Sequence, residues 1–164
     1  MRFPSDKKIS REIEKRIEKY LSSSLIPVET SQIGKAYRFD ESGPRYIEFC
    51  KSTVPSDISF SSLRIVVDCA NGACYKVSPE VFEELGAEVI TIGNKPDGFN
   101  INQKCGSTHP EIVKEAVIKH RADFGISLDG DGDRVILVDE KGSILDGDDL
   151  LYICLLYTSD AADE

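Results

Sequence analysis

The spacing of apolar residues changes along the chain. Near its start, "KKISREIEKRIEKYL" (residues 7–21) sets Ile9, Ile13, Ile17 and Leu21 four apart in an otherwise charged run. That spacing predicts an amphipathic helix with one narrow apolar stripe, suited to lying against a sheet. Residues 22–44 read as a connection with a short extended piece near 36–39. A second helix is predicted over 44–54, where Tyr46, Ile47, Phe49 and Cys50 supply apolar bulk. From residue 63 onward, short β-branched runs alternate with helical stretches. "LRIVVDC" (63–69), "AEVITIG" (87–93) and "DFGISLD" (123–129) have the length and composition of buried strands. Between the first two, "SPEVFEELG" predicts a helix capped by Ser78, with Pro79 at its first position and Gly86 as its stop. Between the second and third, "THPEIVKEAVIKHRA" predicts another. There either Thr108 and Glu111 form a capping box or His109 caps ahead of Pro110. A fourth strand, "RVILVDEKGSIL", turns at residues 141–142.

Strand–helix–strand–helix–strand implies right-handed crossovers and parallel pairing. The third and fourth strands are too close in sequence for a crossover helix, so the fourth is predicted antiparallel. The expected fold is α/β: a three-layer sandwich, its sheet mostly parallel, with helices on both faces and an antiparallel final strand. The joining segment, "DGDGDR" (129–134), then falls at the carboxyl end of the third strand, the edge where open α/β sheets bind ligands.

That hexapeptide carries the chemistry. Gly130 and Gly132 let the backbone fold so that Asp129, Asp131 and Asp133 converge. Converging carboxylates repel unless a cation sits among them, and an oxygen-only donor set selects a hard one, Mg²⁺ or Ca²⁺. An EF-hand reading places acids at loop positions 1, 3 and 5 and Glu140 at position 12. However, position 6 is Arg134 instead of glycine, and the flanks read as strands. Arg134 suits a phosphate or carboxylate beside the metal, or a salt bridge that pins the aspartates. No nucleophile is evident near the loop. Ser107 and Thr108 lack an activating base and read as capping residues.

The remaining composition narrows the partners. A net charge of −9 argues against nucleic acid and anionic membranes. No apolar run approaches the roughly 20 residues of a spanning helix, and no signal peptide is expected. Cys50, Cys69, Cys74, Cys105 and Cys154 show no metal-binding spacing and read as reduced thiols of a cytoplasmic protein. Asn71–Gly72 in "DCANGACY" reads as a strand-to-helix turn, with the alternative that its amides meet an anion. His109 is a substrate contact or a cap, and His120, near a helix end, is given no role.

"DGDGDR" after a strand, with "VVDCANGA" upstream, resembles the metal-binding domain of the α-D-phosphohexomutase superfamily from about residue 1 to 153. "PDGFNINQKCGSTHPE" is similar to its phosphoglucosamine mutase branch. The resemblance implies an intramolecular phosphotransferase in which a phosphoserine on another domain exchanges its phosphoryl group with a hexosamine phosphate, through a bisphosphate, on the route to UDP-N-acetylglucosamine. It implies Mg²⁺ held by Asp129, Asp131, Asp133 and a phosphoserine oxygen, with Arg134 facing that phosphate. The serine, sugar and phosphate loops of such enzymes are not in this sequence. The expected organisation is therefore the end of a first domain (1–30) and a second, metal-binding domain (31–153). Another phosphohexomutase, or a stand-alone cation-binding module, are the alternatives, and oligomeric state is left open. Residues 154–164, "CLLYTSDAADE", back-translate to the adapter of transposase-based sequencing libraries and are expected to be foreign to the gene.

Overall fold

The computed structural model of the chain describes residues 10–24, 27–38 and 40–160, the last four of these by backbone alone. The chain divides into two compact units, Met1–Arg38 and Phe39–Glu164.

In the first unit, helix α1 (Arg11–Leu21) begins at Ser10, whose hydroxyl accepts from the Ile13 N–H at 3.4 Å. Glu12 and Glu14 occupy its first turn and Lys19 its last, matching the helix dipole. Ile13, Ile17 and Leu21 of the expected stripe are exposed, and Ile9 lies outside the described residues. A single 3₁₀ turn follows at Thr30–Gln32. Residues 36–38 form no strand, and Phe39 lies outside the described residues.

The second unit contains α2 (Ser42–Ser52), β1 (Arg64–Asp68), α3 (Val77–Glu84), β2 (Glu88–Ile92), α4 (Pro110–His120), β3 (Phe124–Leu128), β4 (Val135–Asp139), β5 (Ile144–Leu145) and α5 (Gly147–Asp160). The strands form one sheet in the order β2-β1-β3-β4-β5. β1 pairs in parallel with β2 and β3, β4 runs antiparallel to β3, and β5 runs antiparallel to β4. Four strands thus point one way and β4 opposes them, as the short β3–β4 connection requires.

Alternation along β1 builds two cores. Ile65 and Val67 face Phe82 of α3, whereas Val66 faces Val113 and Val117 of α4. The two crossover helices therefore cover opposite faces, and the unit has three layers.

Two helix starts differ from, or decide between, the sequence expectations. α3 starts at Val77 with Lys76 as a cap that makes no side-chain bond, so Ser78 does not cap it. The chain is already winding at that point: the Ser78 N–H donates to the Cys74 carbonyl at 3.0 Å. Pro79, which has no N–H to leave unpaired, sits harmlessly in the first turn. At α4, His109 is the cap position and Pro110 the first residue, with no side-chain cap bond from Thr108 or His109. All five cysteines are thiols, and burial pushes the Cys69 thiol up to about 12, with the nearby Asp68 charge adding to it. No helix among the described residues is long and apolar enough to cross a membrane.

Candidate metal centre

β3 ends at Leu128, and the chain then turns through residues 129–134 before β4 returns alongside it. The turn closes through its own backbone: the Asp129 N–H donates to the Arg134 carbonyl at 3.3 Å, and the Gly132 N–H to the Asp129 carbonyl at 3.2 Å. This brings the three aspartates together. One oxygen each of Asp129, Asp131 and Asp133 lies within 4.8 Å of the others, and the trio is the cation-ligand cluster found among the described residues.

The three carboxylates are not equivalent. Asp129 is only 2% exposed, while Asp131 and Asp133 face solvent. Burial opposes ionisation of Asp129, but the Arg134 N–H (3.1 Å to Oδ1) and the Arg134 Nε (2.8 Å to Oδ2), with a contribution from Asp133, more than offset it. Its pKa is held down to about 2. The Asp133 pKa is raised, first by the negative charge of Asp131 and then by Asp129. Arg134 thus pins the innermost aspartate, as one sequence reading expected, yet its side chain remains 68% exposed. The guanidinium reaches into an open cleft of about 650 Å³ whose walls include Ser107, Thr108, Asp133, Gly147 and Asp148.

Two other loops hold this turn from behind. The Ala73 N–H donates to the Gly130 carbonyl at 2.8 Å, and Gly72 lies so close to the Gly130 backbone that any Cβ at residue 72 would overlap it. The amides that the alternative reading offered to an anion are spent: those of Asn71 and Gly72, like that of Ala73, donate to the carbonyls of Gly93, Cys69 and Gly130 respectively. The structural reading of "ANGA" is therefore the right one. The third loop, 94–109, is tied in by Asn71, whose Oδ1 accepts from the Lys95 N–H at 3.0 Å, and by Asp68. Asp68 is fully buried; its Oδ1 accepts from the Ala70 N–H at 2.9 Å and its Oδ2 from the Gly106 N–H at 2.7 Å. The sequence reading gave Asp68 no role. Its only signal was an aspartate closing a β-branched run.

Ser107 and Thr108, read as capping residues, line the same cleft as Arg134. His109 is exposed, and it is not among the lining residues of the cleft.

The chain and its fold have counterparts among known proteins. A family model described as phosphoglucomutase/phosphomannomutase, alpha/beta/alpha domain II, matches residues 44–142, more than half of the chain. The sequence is 56% identical over 149 residues to a phosphoglucosamine mutase of Thioalkalivibrio sulfidiphilus, covering 91% of this chain and 33% of that protein. It is 58% identical over 146 residues to a phosphoglucosamine mutase of Legionella pneumophila, covering 89% and 32%. Among solved structures, a putative phosphomannomutase of Thermus thermophilus superposes with a TM-score of 0.64 at 22% identity, covering 93% of this chain and 35% of that one. That likeness shows the fold alone. The chain spans about a third of the length of the curated relatives it matches.

Proposed function

Because the chain belongs to the phosphoglucomutase/phosphomannomutase family and carries its α/β/α domain II, we propose that it is the cation-holding domain of a phosphoglucosamine mutase. The whole enzyme would interconvert glucosamine 6-phosphate and glucosamine 1-phosphate in the cytoplasm. The branch rests on the 56–58% identity to phosphoglucosamine mutases over nine-tenths of the chain. The role of this domain rests on one observation: three carboxylates converge beside an exposed arginine at the carboxyl edge of the sheet.

The donor set fits Mg²⁺. All three donors are carboxylates, and their oxygens lie within 4.8 Å of one another. Opposite ligands of an octahedral Mg²⁺ stand about 4.2 Å apart and adjacent ones about 3 Å, so a small closing of the two exposed aspartates suffices. Asp129 can ligate while bonded to Arg134, since each carboxylate oxygen has two acceptor sites. A bound Mg²⁺ would offset negative charge on a transferring phosphoryl group. Everything else falls to the chain's own residues. Asp129, buried and ionised, fixes the centre. Asp131 and Asp133 supply the exposed part of the ligand set. Arg134 presents a permanent positive charge to the cleft, where a phosphate of the serine or of the hexosamine phosphate would lie.

The test is a coupled assay on the full-length product of the gene that contains these residues, with glucosamine 6-phosphate, mannose 6-phosphate and glucose 6-phosphate as competing substrates. Mg²⁺-dependent preference for glucosamine 6-phosphate is expected. Preference for either neutral sugar would move the protein to another branch, and turnover indifferent to chelation would remove the metal.

A further inference from the structure

A second cavity, of about 380 Å³, lies behind the acidic loop on the α3 side of the sheet. Its walls include Tyr46 and Cys50 of α2, Cys74 from the turn after β1, and Phe82 of α3. Gly132 and Val135 of the acidic loop and its exit strand complete them. Two thiols and a phenol therefore share one largely apolar chamber. Cys50 stands close enough to the Tyr46 hydroxyl to raise its pKa, with Cys74 adding to the effect. Both thiols are partly accessible, whereas Cys69 and Cys105 are buried.

Cys74 is also in contact with the acidic loop. A Cβ placed on Gly132 would stand 2.6 Å from the Cys74 sulfur. Gly132 has φ +75°, sits between Asp131 and Asp133, and ties the turn together through its bond to the Asp129 carbonyl.

We propose that this cavity is a thiol-modification site: a small disulfide enters it, is captured by Cys74, and loosens the acidic loop's hold on a cation. In the capture step the Cys74 sulfur attacks one sulfur of RS–SR. A Cys74–S–SR bond forms, the original S–S bond breaks, and RS⁻ leaves and takes up the proton that Cys74 gave up. The cysteine is oxidised to the disulfide level and half of the reagent is reduced to a thiol, so no other oxidant is needed.

The consequence for the loop is geometric. A new sulfur about 2.0 Å from Cys74 must be housed in a chamber one wall of which is the Gly132 backbone. An adduct lying against that wall meets backbone with no side chain to rotate away, so it is the backbone that shifts. Asp131 and Asp133 flank Gly132 and move with it. Asp129 is buried and both its carboxylate oxygens are bonded to Arg134, so it has the least room to follow. Three carboxylates that converge in the free chain then diverge, and Mg²⁺ tolerates little departure from octahedral geometry. This effect rests on the cation reading of the loop.

The experiment uses the chain carrying Cys154→Ser, which removes the exposed cysteine. It is treated with 2-hydroxyethyl disulfide, a neutral reagent that adds no charge near the loop. Peptide mass mapping locates the label, and calorimetry measures Mg²⁺ binding before and after. The expected result is label on Cys74 and an Mg²⁺ affinity lowered about 10-fold or more, restored by reductant. Cys74→Ser should abolish the sensitivity, and Cys50→Ser should still take the label at Cys74. Label absent from Cys74, or unchanged Mg²⁺ binding by the labelled chain, overturns this inference alone. If the untreated chain binds no Mg²⁺, the cation reading goes first and this inference with it.

Discussion

Both carboxylate oxygens of Asp129 are occupied by Arg134, whereas Asp131 is exposed and adds its charge to that of Asp133. Asp131 is therefore the member of the trio that can be changed at least cost to the fold. Asp131→Asn should lower Mg²⁺ affinity by about 10-fold, or about 1.4 kcal/mol, in titration calorimetry, with little change in the urea midpoint. Arg134→Ala should act differently. It removes a positive neighbour of the metal, so Mg²⁺ binding should stay level or tighten. It also strips Asp129 of its guanidinium partner and lets burial raise its pKa. The sign follows from the folded value. At about 2 it lies below the ordinary 3.8, so ionised Asp129 stabilises the fold above pH 4, a contribution lost as pH falls toward 2. In Arg134→Ala that acid limb should flatten, and superposable pH profiles for the two proteins would show that Arg134 does not set the Asp129 pKa. The aspartates and Arg134 were legible in the sequence because their relation is local, six consecutive residues in a turn. Asp68 was not, because one of its two partners lies 38 positions away.

At the scale of elements, α4 lies close against β3. A Cβ on Gly125 would come within 2.7 Å of Val117 Cγ2 and 2.8 Å of Val113 Cγ2. Gly125→Ala should destabilise the chain by about 1–3 kcal/mol, read as a lower urea midpoint. The residual folded protein should still bind Mg²⁺, since this contact is on the opposite face of the sheet from Cys74 and Gly132. The three mutually parallel strands and α4 could be read from sequence because short apolar runs and Pro110 mark them, although the residue that caps α4 was left open between Thr108 and His109. The opposed direction of β4 could be read because six residues cannot cross a sheet. The start of α3 could not: Ser78 has the right chemistry for a cap, but the turn from Ala70 to Lys76 feeds straight into the helix and uses its N–H first. Nor could the route of residues 94–109 be read, since what fixes it is Asn71 and Asp68 on another segment.

For the molecule as a whole, the chain spans about a third of the length of the curated relatives it matches, and positioning and charge stabilisation do most of the work in phosphoryl transfer. The purified chain should therefore show no turnover of glucosamine 6-phosphate in a coupled assay, and turnover above background would refute this. Helix α5 runs through residue 154 without a break and leaves Leu151, Tyr152, Leu155 and Leu156 exposed. We propose that its last turns, from residue 154, are translated adapter. Amplifying the genomic locus across that point should return other codons, and recovery of those for "LLYTSDAADE" would end the idea.

The contact between Gly72 and the Gly130 backbone bears on portability. The acidic hexapeptide takes its shape from what presses on it: the "ANGA" turn behind Gly130, with loop 94–109 latched to that turn through Asp68 and Asn71. Grafted into an unrelated hairpin, the same six letters would arrive without their mould, and the carboxylates would splay under their own repulsion. What an engineer would have to transplant is a surface made of three separate loops. The same holds for natural drift: a methyl group gained at residue 72, far upstream of the aspartates, would distort the centre while leaving its motif intact to any reader of the sequence.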